Sequence, residues 1–200
     1  MLQVLTVIAS YLLGSISFSY IIVKLWMNID IRNYGSGNAG ATNVLRVLGK
    51  KAAAAVLFLD MLKGFIAVVI GNQIGGENIS LICGIAVVLG HNWPVFFKFK
   101  GGKGIATSIG VVLAISPLIM LYLILIAVVI IYFTRYVSLA SITGALIYPL
   151  LVLLFKMPKE YIIFSLILSI LAVIRHHSNI YKLLTGKESK IGEKIHPKVE

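Results

Sequence analysis

Three short stretches hold most of the residues able to do chemistry, and they lie far apart in the chain. They are Asn33-Tyr-Gly-Ser-Gly-Asn-Ala-Gly-Ala-Thr-Asn43, Lys98-Phe-Lys-Gly-Gly-Lys-Gly104 and Arg175-His-His-Ser-Asn179. Each mixes glycines or small polar residues with cationic side chains. Glycine lets backbone N–H groups come close to an oxyanion, and Lys, Arg and His add charge or further donors. In the first stretch Gly35 and Gly37 expose the backbone, Ser36, Asn38, Thr42 and Asn43 offer donors, and Arg46 follows near the start of the next helix. In the second, Gly101, Gly102 and Gly104 surround Lys103 at the mouth of a helix, a pattern able to cradle one phosphate with Lys103 as a point charge. In the third, Asn179 is a neutral oxyanion donor, and His176 or His177 can serve as acid, base or phosphate donor.

Several familiar chemistries are excluded by spacing. Gly35 to Gly40 matches G-x-G-x-x-G, but a dinucleotide fold needs a preceding strand, and here the preceding segment is an apolar helix. The second stretch lacks the four residues that a Walker A loop places before Gly-Lys-Ser/Thr, so ATP hydrolysis has no support. Adjacent histidines point in different directions on a helix and make a poor metal pair; Glu188 and Glu193 are remote. The fifth residue after His91, His176 and His177 is Phe96, Tyr181 and Lys182, so a His-x4-Asp acyltransferase signature is absent. The one cysteine, Cys83, allows neither an intrachain disulfide nor a thiolate cluster. No metal and no cofactor is expected. Donors without a strong base suit a substrate that is already activated, where positioning and electrostatic stabilisation carry the rate.

The elements between these stretches are apolar. Of 200 residues 59% are hydrophobic and 12% charged, against about half and a quarter in soluble domains; mean hydropathy is +0.98. This composition describes an all-α integral membrane protein. A crossing needs about 20 apolar residues. Six segments stand out: about Leu2–Leu25, Ala52–Ile70, Ile79–Phe96, Leu118–Phe133, Leu139–Phe155 and Tyr161–Ile174. The first runs past the length of a signal core without a clear cleavage site. A seventh, Ile105–Ile115, is short, either a tight crossing or a re-entrant hairpin, and Pro117 suits the turn after it. Charge decides the count. With seven crossings one side carries Arg32, Arg46, Lys50, Lys51, Lys98, Lys100, Lys103, Arg135, Arg175, Lys182, Lys187, Lys190, Lys194 and Lys198; the other carries Lys156 and Lys159. A split of 14 against 2 follows the positive-inside rule, and with six crossings the asymmetry would mostly vanish. The expectation is seven transmembrane helices, the fourth short, with the N-terminus outside and the C-terminus cytoplasmic. Residues 1–200 then form one polytopic domain with cytoplasmic motifs at 33–46, 98–107 and 175–188. The net charge of +11 serves this topology and also attracts anionic lipid or substrate.

Inside the second segment, Asp60 and Lys63 are spaced for an ion pair and are expected to be structural. His91 is read as structural, and Trp93, Phe96 and Phe97 as interface anchors. Ser141, at the start of the sixth segment, adds a hydroxyl on the cytoplasmic side. The tail after Arg175 alternates leucines and lysines, as a surface-lying segment does.

In their residues, order and spacing the motifs resemble those of the bacterial acyl-phosphate:glycerol-3-phosphate acyltransferases. The likeness is carried by Gly35-Ser-Gly-Asn-Ala-Gly-Ala-Thr-Asn43 with Arg46, Gly90-His91 with Lys100-Gly-Gly-Lys-Gly-Ile-Ala-Thr107, and Arg175-His-His-Ser-Asn-Ile180 with Gly186-Lys-Glu188. The resemblance implies acyl transfer from acyl phosphate to the 1-hydroxyl of glycerol 3-phosphate. The products are lysophosphatidic acid and inorganic phosphate, the first acylation of phospholipid synthesis. It implies Ser36, Arg46, His177 and Asn179 as catalytic residues, Gly101, Gly102, Lys103 and Gly104 as the glycerol-phosphate loop, and Glu188 as a structural anchor; the residues' own chemistry adds Gly35, Gly37, Asn38, Asn43 and Ser141 to the substrate-binding set. The expected setting is a monomer in the bacterial inner membrane, facing the cytoplasm, with membrane lipids and no nucleic acid as partners. The alternative is a transporter for an anionic phosphorylated metabolite, which would need polar groups or broken helices near the midplane; only Asp60 and Lys63 hint at that. A lipid-binding scaffold would explain the basic tail but not the glycines.

Overall fold

The structure is a computed structural model that describes residues 1–193. Lys194 and Lys198 of the charge tally lie outside the described residues. Within them the chain is helical, with turns and no strand. Four helical stretches are long and apolar enough to cross a membrane: Leu2–Met27, Lys50–Phe97, Pro117–Thr134 and Val137–Leu154. Lys159–Arg175 and His177–Leu184, bent by 61° at their junction, add a fifth where the two count as one span, and Ile105–Ile115 is a shorter apolar helix. The chain divides into two compact units, built on Met1–Val111 and on Val112–Ile191.

The first unit holds α1 (Leu2–Gly14), α2 (Phe18–Met27), the short α3 (Ala41–Val47), the long α4 (Lys50–Asn92) and the start of α5 (Ile105–Ile115). α4 is two arms rather than one rod. Gly75 (φ −145°, ψ 15°) and Gly76 (φ 71°, ψ −165°) leave the helical region, and beyond them the chain folds back until Gly71 meets Ser80 and Cys83. The expected gap between Ile70 and Ile79 is thus a glycine break, with helix closer to it on both sides. The helices touch through glycine: a methyl group at Gly14 would overlap the Val87 carbonyl, one at Gly90 the Tyr11 carbonyl, and one at Gly64 the Thr107 carbonyl. In lipid, where apolar side chains gain nothing by leaving the tails, such close backbone approach supplies the packing attraction. One apolar core lies beneath the first motif: Val23, Ile31, Val44, Ala52, Ala53 and Val56 are buried together.

The second unit holds the end of α5, then α6 (Pro117–Thr134), α7 (Val137–Leu154), α8 (Lys159–Arg175) and α9 (His177–Leu184). Pro117 occupies the first turn of α6, where its missing N–H costs nothing. Pro149 sits inside α7 and removes the donor that would serve the Ala145 carbonyl four residues back. The Ser169 hydroxyl of α8 donates to that carbonyl instead, as hydroxyls do for broken backbone in apolar surroundings.

Candidate active site

The first motif is a loop wound around one buried side chain. Asn43 is 1% exposed. Its Oδ1 accepts the Ser36 amide at 2.8 Å, and its Nδ2 donates to the carbonyls of Tyr34 (2.9 Å) and Ile31 (3.3 Å). All these bonds stay inside the loop, so Asn43 shapes the loop from within. Gly35 has φ 58°, and a methyl there would overlap Asn43 Oδ1; the turn needs glycine on both counts. The Ser36 side chain is left exposed at the surface with Gly37, and Asn38 is half-buried. Arg46 lies in the last turn of the seven-residue α3, not near a helix start as its spacing suggested, and is half-buried.

Arg32 and Asp30 tie this loop to the second motif. Asp30 caps the turn at Ile31–Asn33 by accepting the Arg32 amide at 3.0 Å, and pairs with the guanidinium at 2.6 Å. Arg32 also donates to the Phe97 carbonyl at 3.2 Å and lies over the Tyr20 ring. Side-chain hydrogen bonding from Arg32 holds the Asp30 carboxyl below the usual carboxylate range. Sequence reading counted Arg32 only as a loop charge; its short spacing to Asp30 was the available signal.

The second motif is a glycine loop pressed against its neighbours. The Gly102 amide donates to the His91 carbonyl at 3.1 Å. A methyl at Gly102 would overlap Nε2 of His91 and stand 2.6 Å from the Ala39 carbonyl oxygen. Only glycine fits, and Ala39 belongs to the first motif, so the first two motifs are side by side in the first unit. Gly101 and Lys103 are half-buried, Gly102 and Gly104 buried. Behind the loop the expected pair forms: Nζ of Lys63 is 2.7 Å from Oδ1 of Asp60, with both side chains 1% exposed. The ammonium reaches Nδ1 of His91 at 3.0 Å. That link was not legible across the intervening sequence, although a buried ammonium must find acceptors.

The third motif lies in the second unit, with Ser141. α8 ends at Arg175, the chain bends at His176, and α9 begins at His177. His176 is buried, its Nδ1 2.8 Å from the Ala172 carbonyl oxygen. His177 is exposed, its Nδ1 3.0 Å from the Ile174 carbonyl oxygen. Asn179 donates through Nδ2 to Oε1 of Glu188 at 2.8 Å, and that oxygen also accepts the Ser138 hydroxyl at 2.7 Å. Ser138 was missed; it stands three residues before Ser141, whose own hydroxyl donates to the Val137 carbonyl at 2.9 Å.

Comparison with known proteins points to one family. Residues 4–186 match the family described as glycerol-3-phosphate acyltransferase. A glycerol-3-phosphate acyltransferase of Thermoanaerobacter sp. (strain X514) is 59% identical over 194 residues, 97% of this chain and 98% of that one. One of Alkaliphilus metalliredigens is 53% identical with the same coverage. The crystal structure of PlsY (YgiH), an integral membrane glycerol 3-phosphate acyltransferase, in its glycerol 3-phosphate form superposes with a TM-score of 0.92 at 46% identity, covering 96% of each chain. Its lysophosphatidic acid form gives 0.89 at 44% identity and the same coverage. A glycine loop backed onto a polar loop, in an apolar helical chain with this likeness along nearly its whole length, leads to one assignment: the chain belongs to the glycerol-3-phosphate acyltransferase family.

Proposed function

We propose that this protein transfers an acyl group from acyl phosphate to the 1-hydroxyl of glycerol 3-phosphate, giving lysophosphatidic acid and inorganic phosphate. The observation that carries the reading is the seating of Gly102 between His91 and Ala39, which holds two donor-rich loops together where a phosphate can be bound. Ser36, Arg46, His177 and Asn179 are the catalytic residues in this reading, and the three motifs serve one reaction on the cytoplasmic side of a bacterial inner membrane. Seven crossings belong to the same reading: the glycine break in α4 would let it cross twice, and α5 would be the short fourth. Glycines 35, 37, 101, 102 and 104, with Asn38, Asn43, Lys103 and Ser141, bind or shape the substrate site, Glu188 anchors the third motif, and the chain acts as a monomer.

The chemistry follows from having donors and no strong base. The glycerol 1-hydroxyl oxygen bonds to the acyl carbon, and the acyl carbon–phosphate oxygen bond breaks. Arg46, Ser36, His177 and loop amides stabilise the charge that gathers on the leaving phosphate, and one of its oxygens takes the hydroxyl proton. His177 then acts as a donor. A pH–rate profile whose limb vanishes in His177→Ala would instead make it an obligatory base.

The test uses purified protein, acyl phosphate and labelled glycerol 3-phosphate, with phosphate release and labelled product measured together. Parallel reactions with acyl-CoA and acyl-carrier protein identify the donor. Phosphate release without labelled lipid, or product from acyl-CoA alone, would overturn the proposal. The likeness to acyltransferases extends along the chain and lends no support to a transporter.

A further inference from the structure

Two buried charges and an imidazole lie behind the glycine loop. Charge in an apolar segment is costly unless paired and fully hydrogen-bonded. The Lys63 ammonium has three protons and accepts nothing. Three of its contacts have hydrogen-bond geometry: the carbonyls of Gly14 (3.1 Å) and Ile16 (2.9 Å), and Nδ1 of His91 (3.0 Å). Asp60 Oδ1, at 2.7 Å, balances the charge but receives no directed hydrogen bond; it also stands 3.5 Å from Nδ1 of His91. Nδ1 is therefore an acceptor, and the neutral ring carries its proton on Nε2. The Nε2 edge faces Gly102, where an added methyl would overlap Nε2 and lie 3.0 Å from Cδ2. The same residue's carbonyl takes the Gly102 amide. His91 thus meets the loop with both its backbone and its ring.

We propose that His91 is a positioning residue for the phosphate-holding loop. The Lys63–Asp60 pair fixes it as an Nε2–H imidazole, and its ring sets where Gly102 and the neighbouring amides meet the phosphate of glycerol 3-phosphate. The proposal rests on the function proposed above and adds a separable claim: the buried pair tunes acceptor-substrate affinity and leaves the acyl donor untouched.

The experiment compares full-length wild type, His91→Phe, His91→Gln and His91→Asn in detergent, measuring KM for each substrate and the shift in Tm caused by glycerol 3-phosphate. Phe keeps the ring without its nitrogens. Gln places an N–H near the Nε2 position, and Asn reaches only the Nδ1 position. The expected result is a roughly tenfold rise in KM for glycerol 3-phosphate in the Phe and Asn variants, about the worth of one hydrogen bond. KM for acyl phosphate stays within about twofold on the same argument, and Gln restores most of the affinity. If the Phe variant does not fold, the Tm shifts of Gln against Asn decide: a retained shift in Gln and a lost one in Asn support the proposal. Equal behaviour of Gln and Asn, or equal rises in both KM values, overturns it. Wild type that makes no product from acyl phosphate would sink the functional reading instead.

Discussion

The first and third motifs are each held by one polar side chain, and the two holders differ in kind. Asn43 is neutral and buried, and it bonds only to backbone. Glu188 is half-buried, and through one carboxylate oxygen it accepts from two side chains, Asn179 and Ser138. The difference follows from what each must fix. A loop that presents amides needs its main chain set, and a neutral amide satisfies carbonyls and N–H groups without burying a charge. A motif that presents a side chain needs that side chain oriented, and a carboxylate does this well where water still reaches it.

The comparison breaks most readily at Asn43. Asn43→Ala leaves the Ser36 amide and two carbonyls without their partner, so a loss of about 3 kcal/mol of stability is expected, with activity falling to background. Thermal unfolding in detergent and the acyl-transfer assay check this; a fully active, equally stable variant would show that the loop does not depend on it. Glu188→Ala comes next: roughly 1–2 kcal/mol and about a tenfold loss in kcat/KM, from the freed Asn179 side chain. Glu188→Gln keeps an accepting oxygen and recovers most of the loss. If Gln is as damaging as Ala, the charge matters beyond orientation and the contrast with Asn43 must be redrawn. Ser169→Ala is smaller, about 1 kcal/mol, with kcat and KM unchanged, because it touches only the α7–α8 packing. The smallest effect concerns Asp30. Its folded pKa is lowered by Arg32. Its contribution is therefore present above the unfolded value of 3.8 and fades as pH falls through the lower folded value. It amounts to less than about 1 kcal/mol for a pair that water still reaches. Arg32→Gln should flatten that acid limb of the stability curve; an unchanged limb would assign it to other carboxylates.

Legibility varied with how local the physics was. Hydropathy marked the apolar helices, and the density of Gly, Asn, Ser and Lys marked the three motifs, because both signals reside in neighbouring residues. Asp60 and Lys63 were legible as a pair for the same reason. What stayed hidden was long-range. Nothing near Lys63 announces His91, nor near Glu188 announces Ser138, since those contacts exist only once helices pack. Asn43 was grouped with the substrate donors, although its amide serves the loop, because composition cannot tell a side chain pointing out from one pointing in. The end of α4's first arm ran past Ile70 because helix propagation continues until glycines allow the turn.

The bond from Ser169 to the Ala145 carbonyl has a consequence for how the chain is made. α7 leaves the ribosome before α8, carrying a proline gap that it cannot close alone. Until α8 arrives, one carbonyl faces the bilayer without a donor, which favours keeping α7 beside the insertion machinery or a watery cavity. Entry of the two helices into lipid as a hairpin would meet that need, and a stop placed before Ser169 is then expected to strand α7 as a target for membrane quality control.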